Sequence, residues 1–144
     1  MAVGSKVRLL SGALALTWMG LIFYSSGQST LAVDGVGPEQ AELFVRKFGH
    51  AIVFGILAIL LRGAAGFRGR GFLEGVAALA ATAVYAASDE FHQSFTPGRS
   101  GNLTDVLIDT GGAAAALVFV ATVRYQIVAA QLAAAFRHRL SRNG

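Results

Sequence analysis

Apolar residues in this chain gather into four long runs. The first covers roughly residues 9–25 (LLSGALALTWMGLIFYS) and the second roughly 48–66 (FGHAIVFGILAILLRGAAG). The third covers about 72–91 and the fourth about 103–123. A helix rises about 1.5 Å per residue, so about 20 residues cross a hydrocarbon layer about 30 Å thick. The third and fourth runs reach that length only when their carboxylate-bearing ends are counted, which places those charges at or just inside one membrane face. The first run follows Lys6 and Arg8, and no clear small-x-small cleavage site follows it, so it reads as an uncleaved signal anchor. The pattern predicts an all-α polytopic membrane protein: one domain, 1–144, with four transmembrane helices.

Composition agrees with that reading. The 144 residues are 54% hydrophobic, include 18 glycines and are only 14% charged. A mean hydropathy of +0.57 suits a bundle of membrane helices better than a soluble domain. The absence of cysteine excludes disulfides and thiolate metal sites. A formal charge of +4 could suggest nucleic acid, but the basic residues flank the apolar runs, so no nucleic-acid partner is expected.

Charge distribution supplies an orientation. Lys6, Arg8, Arg62, Arg68, Arg70, Arg124, Arg137, Arg139 and Arg142 fall on one side of a four-span drawing, and only Arg46, Lys47 and Arg99 on the other. By the positive-inside rule the first side is cytoplasmic, which puts both termini inside a bacterial cytoplasmic (inner) membrane. Residues 124–144 then form a basic cytoplasmic tail. It reads either as an amphipathic helix on the inner leaflet or as an extension of the fourth span. Alanine- and glycine-rich stretches in the third and fourth spans let helix backbones approach closely.

Candidate chemistry is concentrated between Tyr85 and Gly112. This stretch holds four of the eight acidic residues: Asp89, Glu90, Asp105 and Asp109. On a helix Asp89 comes near His92 and Gln93, at spacings of three and four. Pro97 and Gly98 mark a turn that carries Arg99. Asp105 and Asp109 share one helix face, and Lys47 and His50 share another at the start of the second span. An ionised carboxylate at that depth costs several kcal/mol unless paired or protonated, and intramembrane ionisable groups are functional by default. Lys47, His50 and Arg99 could bind an anion such as a lipid phosphate. Glu90, His92, Asp105 and Asp109 could do acid–base work or hold a divalent cation, the one cofactor the residues suggest. His92 is the natural proton carrier.

The pattern Lys47-x-x-His50, Asp89-Glu90-x-His92-Gln93, Pro97-Gly98-Arg99, Asp105-x-x-x-Asp109-x-x-Gly112 resembles the VanZ-like family of bacterial membrane proteins. That resemblance spans the chain from the first helix to the fourth. Members often carry Asn where this chain has Asp109. The resemblance implies an association with resistance to teicoplanin, a lipoglycopeptide that acts on cell-wall precursors outside the membrane. The resulting expectation is a site in the outer half of the bilayer for an anionic, lipid-linked envelope component. Lys47, His50, Gln93 and Arg99 would bind it, and Asp89, Glu90, His92, Asp105 and Asp109 would orient it or catalyse a hydrolase or transferase step. The alternatives are a proton- or ion-coupled carrier or flippase, which four helices would support only as a homo-oligomer, and a non-catalytic scaffold for cell-wall enzymes.

Overall fold

A computed structural model describes residues 3–28, 39–66, 71–97 and 101–143. The described residues form four helices: α1 (Val3–Ser26), α2 (Glu39–Ala65), α3 (Gly71–Gln93) and α4 (Leu103–Asn143). Each is long and apolar enough to cross a membrane, over Gly4–Ser26, Phe44–Ala65, Gly71–Gln93 and Leu103–His138. The protein is therefore a multi-pass, all-α membrane protein.

Two boundaries extend well past the apolar runs. Helix α2 starts nine residues before Phe48, because Glu39-Gln40-Ala41-Glu42-Leu43 are good helix formers that hydropathy alone passes over. Helix α4 does not stop near Val123 but continues through the basic tail as one 41-residue helix. Residues 113–143 contain neither Gly nor Pro, so nothing within that stretch interrupts the helix. At the other end of α2, Gly66 adopts a positive φ of 85° and stops the helix. Arg8 Nε donates to the carbonyl of Ala64 at 3.3 Å, which satisfies a C-terminal acceptor that the helix cannot.

Helices α2 and α3 touch each other and both remaining helices, whereas α1 and α4 do not meet among the described residues. The section is thus a diamond with α2 and α3 on its short diagonal. One core cluster joins Ala15, Ile22, Phe54, Leu57 and Ala86, and a second joins Ala58, Ala78, Ala113 and Leu117. Polar tips are tied to backbone across helices: Trp18 Nε1 donates to Val53 O at 3.0 Å, and the Tyr85 hydroxyl to Met19 O at 2.6 Å. Large apolar side chains such as Leu16, Phe23, Val84 and Phe119 point outward, as lipid contact requires.

The seam between α2 and α4 sets the geometry of everything above it. These helices run in the same direction, two connections apart in sequence. A β-carbon at Gly112 would collide with the backbone of Ala51, and one at Gly55 would lie 3.1 Å from the Ala116 methyl. Glycine is required at 112 because the two backbones meet there. The expectation of close packing through the GGAAAA stretch is met at this contact.

Candidate functional site

The buried face of α3 runs Ala78, Thr82, Ala86, Asp89, Glu90 and Gln93. One helical face thus turns from alanine to carboxylate as it nears the end of the bundle. Three other helices bring polar groups to the same end: Ser26 from α1, Lys47 and His50 from α2, and Asp105 and Asp109 from α4.

On the α4 side the charges form two rungs. Lys47 Nζ lies 2.6 Å from Asp105 Oδ1, with the two side chains 29% and 32% exposed. One turn deeper, His50 Nδ1 lies 3.8 Å from Asp109 Oδ2, an ion-pair contact longer than a hydrogen bond. His50 is 31% exposed, whereas Asp109 is 1% exposed. Neither carboxylate oxygen of Asp109 has a hydrogen-bond partner among the described residues. The rungs align because the three-residue step from Lys47 to His50 and the four-residue step from Asp105 to Asp109 each cover about one helical turn on parallel neighbours. The Ala51–Gly112 contact, one residue past His50 and three past Asp109, holds the helices at that register.

On the α1 side the groups are satisfied within the protein. Asp89 is buried, and its Oδ1 accepts from Ser26 Oγ at 2.5 Å while Oδ2 accepts from Gln93 Nε2 at 2.8 Å. His92 turns away from both carboxylate groupings and stacks on Phe23 of α1, with ring centroids 3.9 Å apart. Its Nδ1 is buried without a hydrogen-bond partner among the described residues, and its Cε1 packs over Gly27. Sequence spacing brought Asp89 near both His92 and Gln93, but only Gln93 bonds to it. Position 93 returns to the buried face of Asp89, and position 92 falls on the edge towards α1.

Glu90 connects the two halves. Its Oε2 accepts the backbone N–H of Asn102 at 2.8 Å, just before α4 begins. The Glu90 carbonyl also packs so closely on Gly101 that a β-carbon there would clash. Glu90 is within electrostatic range of Asp89, Asp105 and Asp109. Gly101 and Asn102 are thereby held against the end of α3, and Arg99 lies outside the described residues.

The expected residues thus separate into a saturated group (Asp89, Gln93), a stacked histidine, a bridging Glu90 and a two-rung site in which Lys47, His50 and Asp105 are partly exposed and Asp109 is buried. Among the described residues no three His, Asp or Glu side chains converge as metal ligands, and His92 in particular lies apart from Asp105 and Asp109. Sequence reasoning missed Ser26 and the Asn102 N–H. The serine pair closing the first apolar run, Ser25-Ser26, was the available signal for the former. The latter is a backbone group and left no sequence signal.

A family model described as VanZ/LLP1 matches residues 12–124. No curated protein and no solved structure matches the chain.

Proposed function

The chain belongs to the VanZ/LLP1 family, and from that premise we propose that its two-rung site receives the anionic head group of a lipid-linked cell-envelope component. The site would lie in the extracytoplasmic half of the bacterial cytoplasmic membrane, where glycopeptides meet exposed precursors. The family's association with resistance fits that location. The observation that carries the reading is the pairing of Lys47 with Asp105, one turn above His50 and Asp109. The Lys47 and His50 side chains are each about one-third exposed and therefore reachable from the bilayer edge, while the buried Asp109 carboxylate lies beside the deeper of them. An arriving phosphate would compete for Lys47 and His50, and Arg99, between α3 and α4 in sequence, would add a guanidinium. Proton exchange during any hydrolase or transferase step would fall to His50 and to Asp109, whose carboxylate oxygens accept no hydrogen bond among the described residues.

Two alternatives draw less support. A proton-coupled carrier needs a polar path through the bundle, yet Phe54, Leu57 and Ala58 below the site are fully buried and apolar. A purely structural network suits Asp89, whose oxygens are both bonded, but not Asp109, whose oxygens are not. The deciding experiment measures binding of polyprenyl phosphate to the protein in nanodiscs of zwitterionic lipid. Binding is expected for the wild type, with at least a tenfold loss (about 1.4 kcal/mol) in Lys47→Ala and His50→Ala. Absence of binding by folded wild-type protein, or equal binding by both variants, would sink the proposal.

A further inference from the structure

Beyond Val123, α4 continues as a rod that none of the described residues covers. All side chains from 121 to 138 are exposed. The 41 residues of α4 make a helix about 60 Å long, against a hydrocarbon layer about 30 Å thick. Sharp kinks arise at Pro, at Gly–Ser pairs or at π-bulges, and α4 contains neither Pro nor Gly after Gly112. The extension therefore continues the axis of the span and leaves the membrane with it.

One stripe runs the length of this helix. Gly111, Ala115, Val118, Thr122, Tyr125, Ala129, Leu132 and Phe136 follow one another at alternating steps of four and three, and every one of them is exposed. A β-carbon at Gly111 would meet nothing within 4 Å. The opposite face of the span, through Asp109, Gly112, Ala113 and Ala116, is the one packed inward. Beyond the span, Arg124, Gln131 and His138 recur every seven residues on the side away from the stripe. A repeat averaging 3.5 residues over nearly four heptads is the signature of a helix that supercoils with a partner. The stripe also changes with its solvent. In the bilayer it is small (Gly111, Ala115, Thr122), which suits backbone-to-backbone packing in lipid. Outside it becomes Tyr125, Leu132 and Phe136, which water would drive together.

We propose that α4 pairs in parallel with α4 of a second copy along this stripe, making the protein a two-fold dimer whose axis follows the membrane normal. Val118, Tyr125, Leu132 and Phe136 are each 64–73% exposed. Their burial against an equal set, with the small residues between them, removes on the order of 1,000 Å², the lower limit for a specific interface. A bilayer surface is the poorer occupant, because reaching it would require a bend that the helix has no residue to make. The basic side chains Arg124 and Arg137 fall off the stripe, and the apolar pattern ends at Phe136, since the next step reaches Arg139.

The chain contains no cysteine, which makes the test direct. Single substitutions Thr122→Cys, Tyr125→Cys, Ala129→Cys and Leu132→Cys are oxidised in native membranes beside the off-stripe controls Arg124→Cys, Ile127→Cys and Gln131→Cys. Severalfold stronger cross-linked dimer at the stripe positions is expected. Leu132→Glu should convert the dimer mass measured in nanodiscs to that of a monomer while helicity by circular dichroism is kept. Equal cross-linking at stripe and control positions, no cross-linking in membranes that contain the inserted chain, or a monomeric wild type would overturn the proposal. So would quenching of a tail tryptophan (Phe136→Trp with Trp18→Phe) by brominated anionic lipids, which would place the tail on the bilayer surface.

Discussion

Asp89 and Asp109 are both buried carboxylates at the same end of the bundle, and they answer to different physics. Asp89 accepts two short hydrogen bonds, from Ser26 and Gln93, so its removal from water is compensated. Asp109 has only His50 at 3.8 Å and no hydrogen bond among the described residues. Ser26→Ala should therefore lower stability by about 1–3 kcal/mol, the range for losing a bond to a buried charged group, read as a drop in thermal midpoint in detergent. Asp109→Asn should leave that midpoint unchanged or raised, because a neutral side chain avoids the cost of burying charge, while polyprenyl phosphate binding falls. Equal destabilisation by the two variants would make Asp109 as structural as Asp89. The outer rung is a different case again. Lys47 and Asp105 are each about one-third exposed, so solvent screens them, and a double-mutant cycle with alanine should return a coupling of about 1 kcal/mol or less. A larger coupling would mean that the pair itself, more than any ligand, accounts for these residues.

At the scale of the elements, the α2–α4 seam decides whether the rungs exist. Gly112 meets the backbone of Ala51, so even Gly112→Ala must push the helices apart, whereas Gly20 faces open space. Gly112→Ala should cost about 1–3 kcal/mol through overpacking, and Gly20→Ala should gain up to about 1 kcal/mol of helix propensity. Chemical denaturation of the two variants should thus shift in opposite directions, and shifts of the same sign would show that the seam is not closed. Separation of the helices would also lengthen both ion-pair contacts, so Gly112→Ala should weaken head-group binding although residue 112 is apolar and lies below the site.

For the whole molecule, four spans require both termini on one side and the α3–α4 connection on the other. Cysteines introduced at Ser5 and at Arg142 should be shielded from an impermeant thiol reagent in intact cells, and one at Thr96 should be labelled. Labelling of Ser5→Cys in intact cells would reverse the orientation that the basic residues imply. Such a reversal would move the site to the cytoplasmic leaflet and remove the link to exposed precursors.

Hydrophobic runs and their flanking charges were enough to read four helices, their order and the end at which the polar groups gather. Each of these follows from local rules: the length needed to cross a bilayer, the spacing of residues on a helix, and the cost of charge in lipid. Local rules also placed Lys47 with His50 and Asp105 with Asp109 on shared faces. They said nothing of which face meets which. That α2 and α4 lie side by side, that His92 stacks on Phe23, and that Ser26 saturates Asp89 are contacts between residues 58 to 69 positions apart. Such contacts depend on how small residues let backbones approach, which no single helix records. The apolar runs likewise hid the true length of α4, because helix propensity continues where hydropathy ends. Sequence alone determined that this protein gathers charge at one end of a membrane bundle; only tertiary packing decided which of those charges face one another and which are satisfied by neutral groups, because that depends on how closely the helix backbones approach.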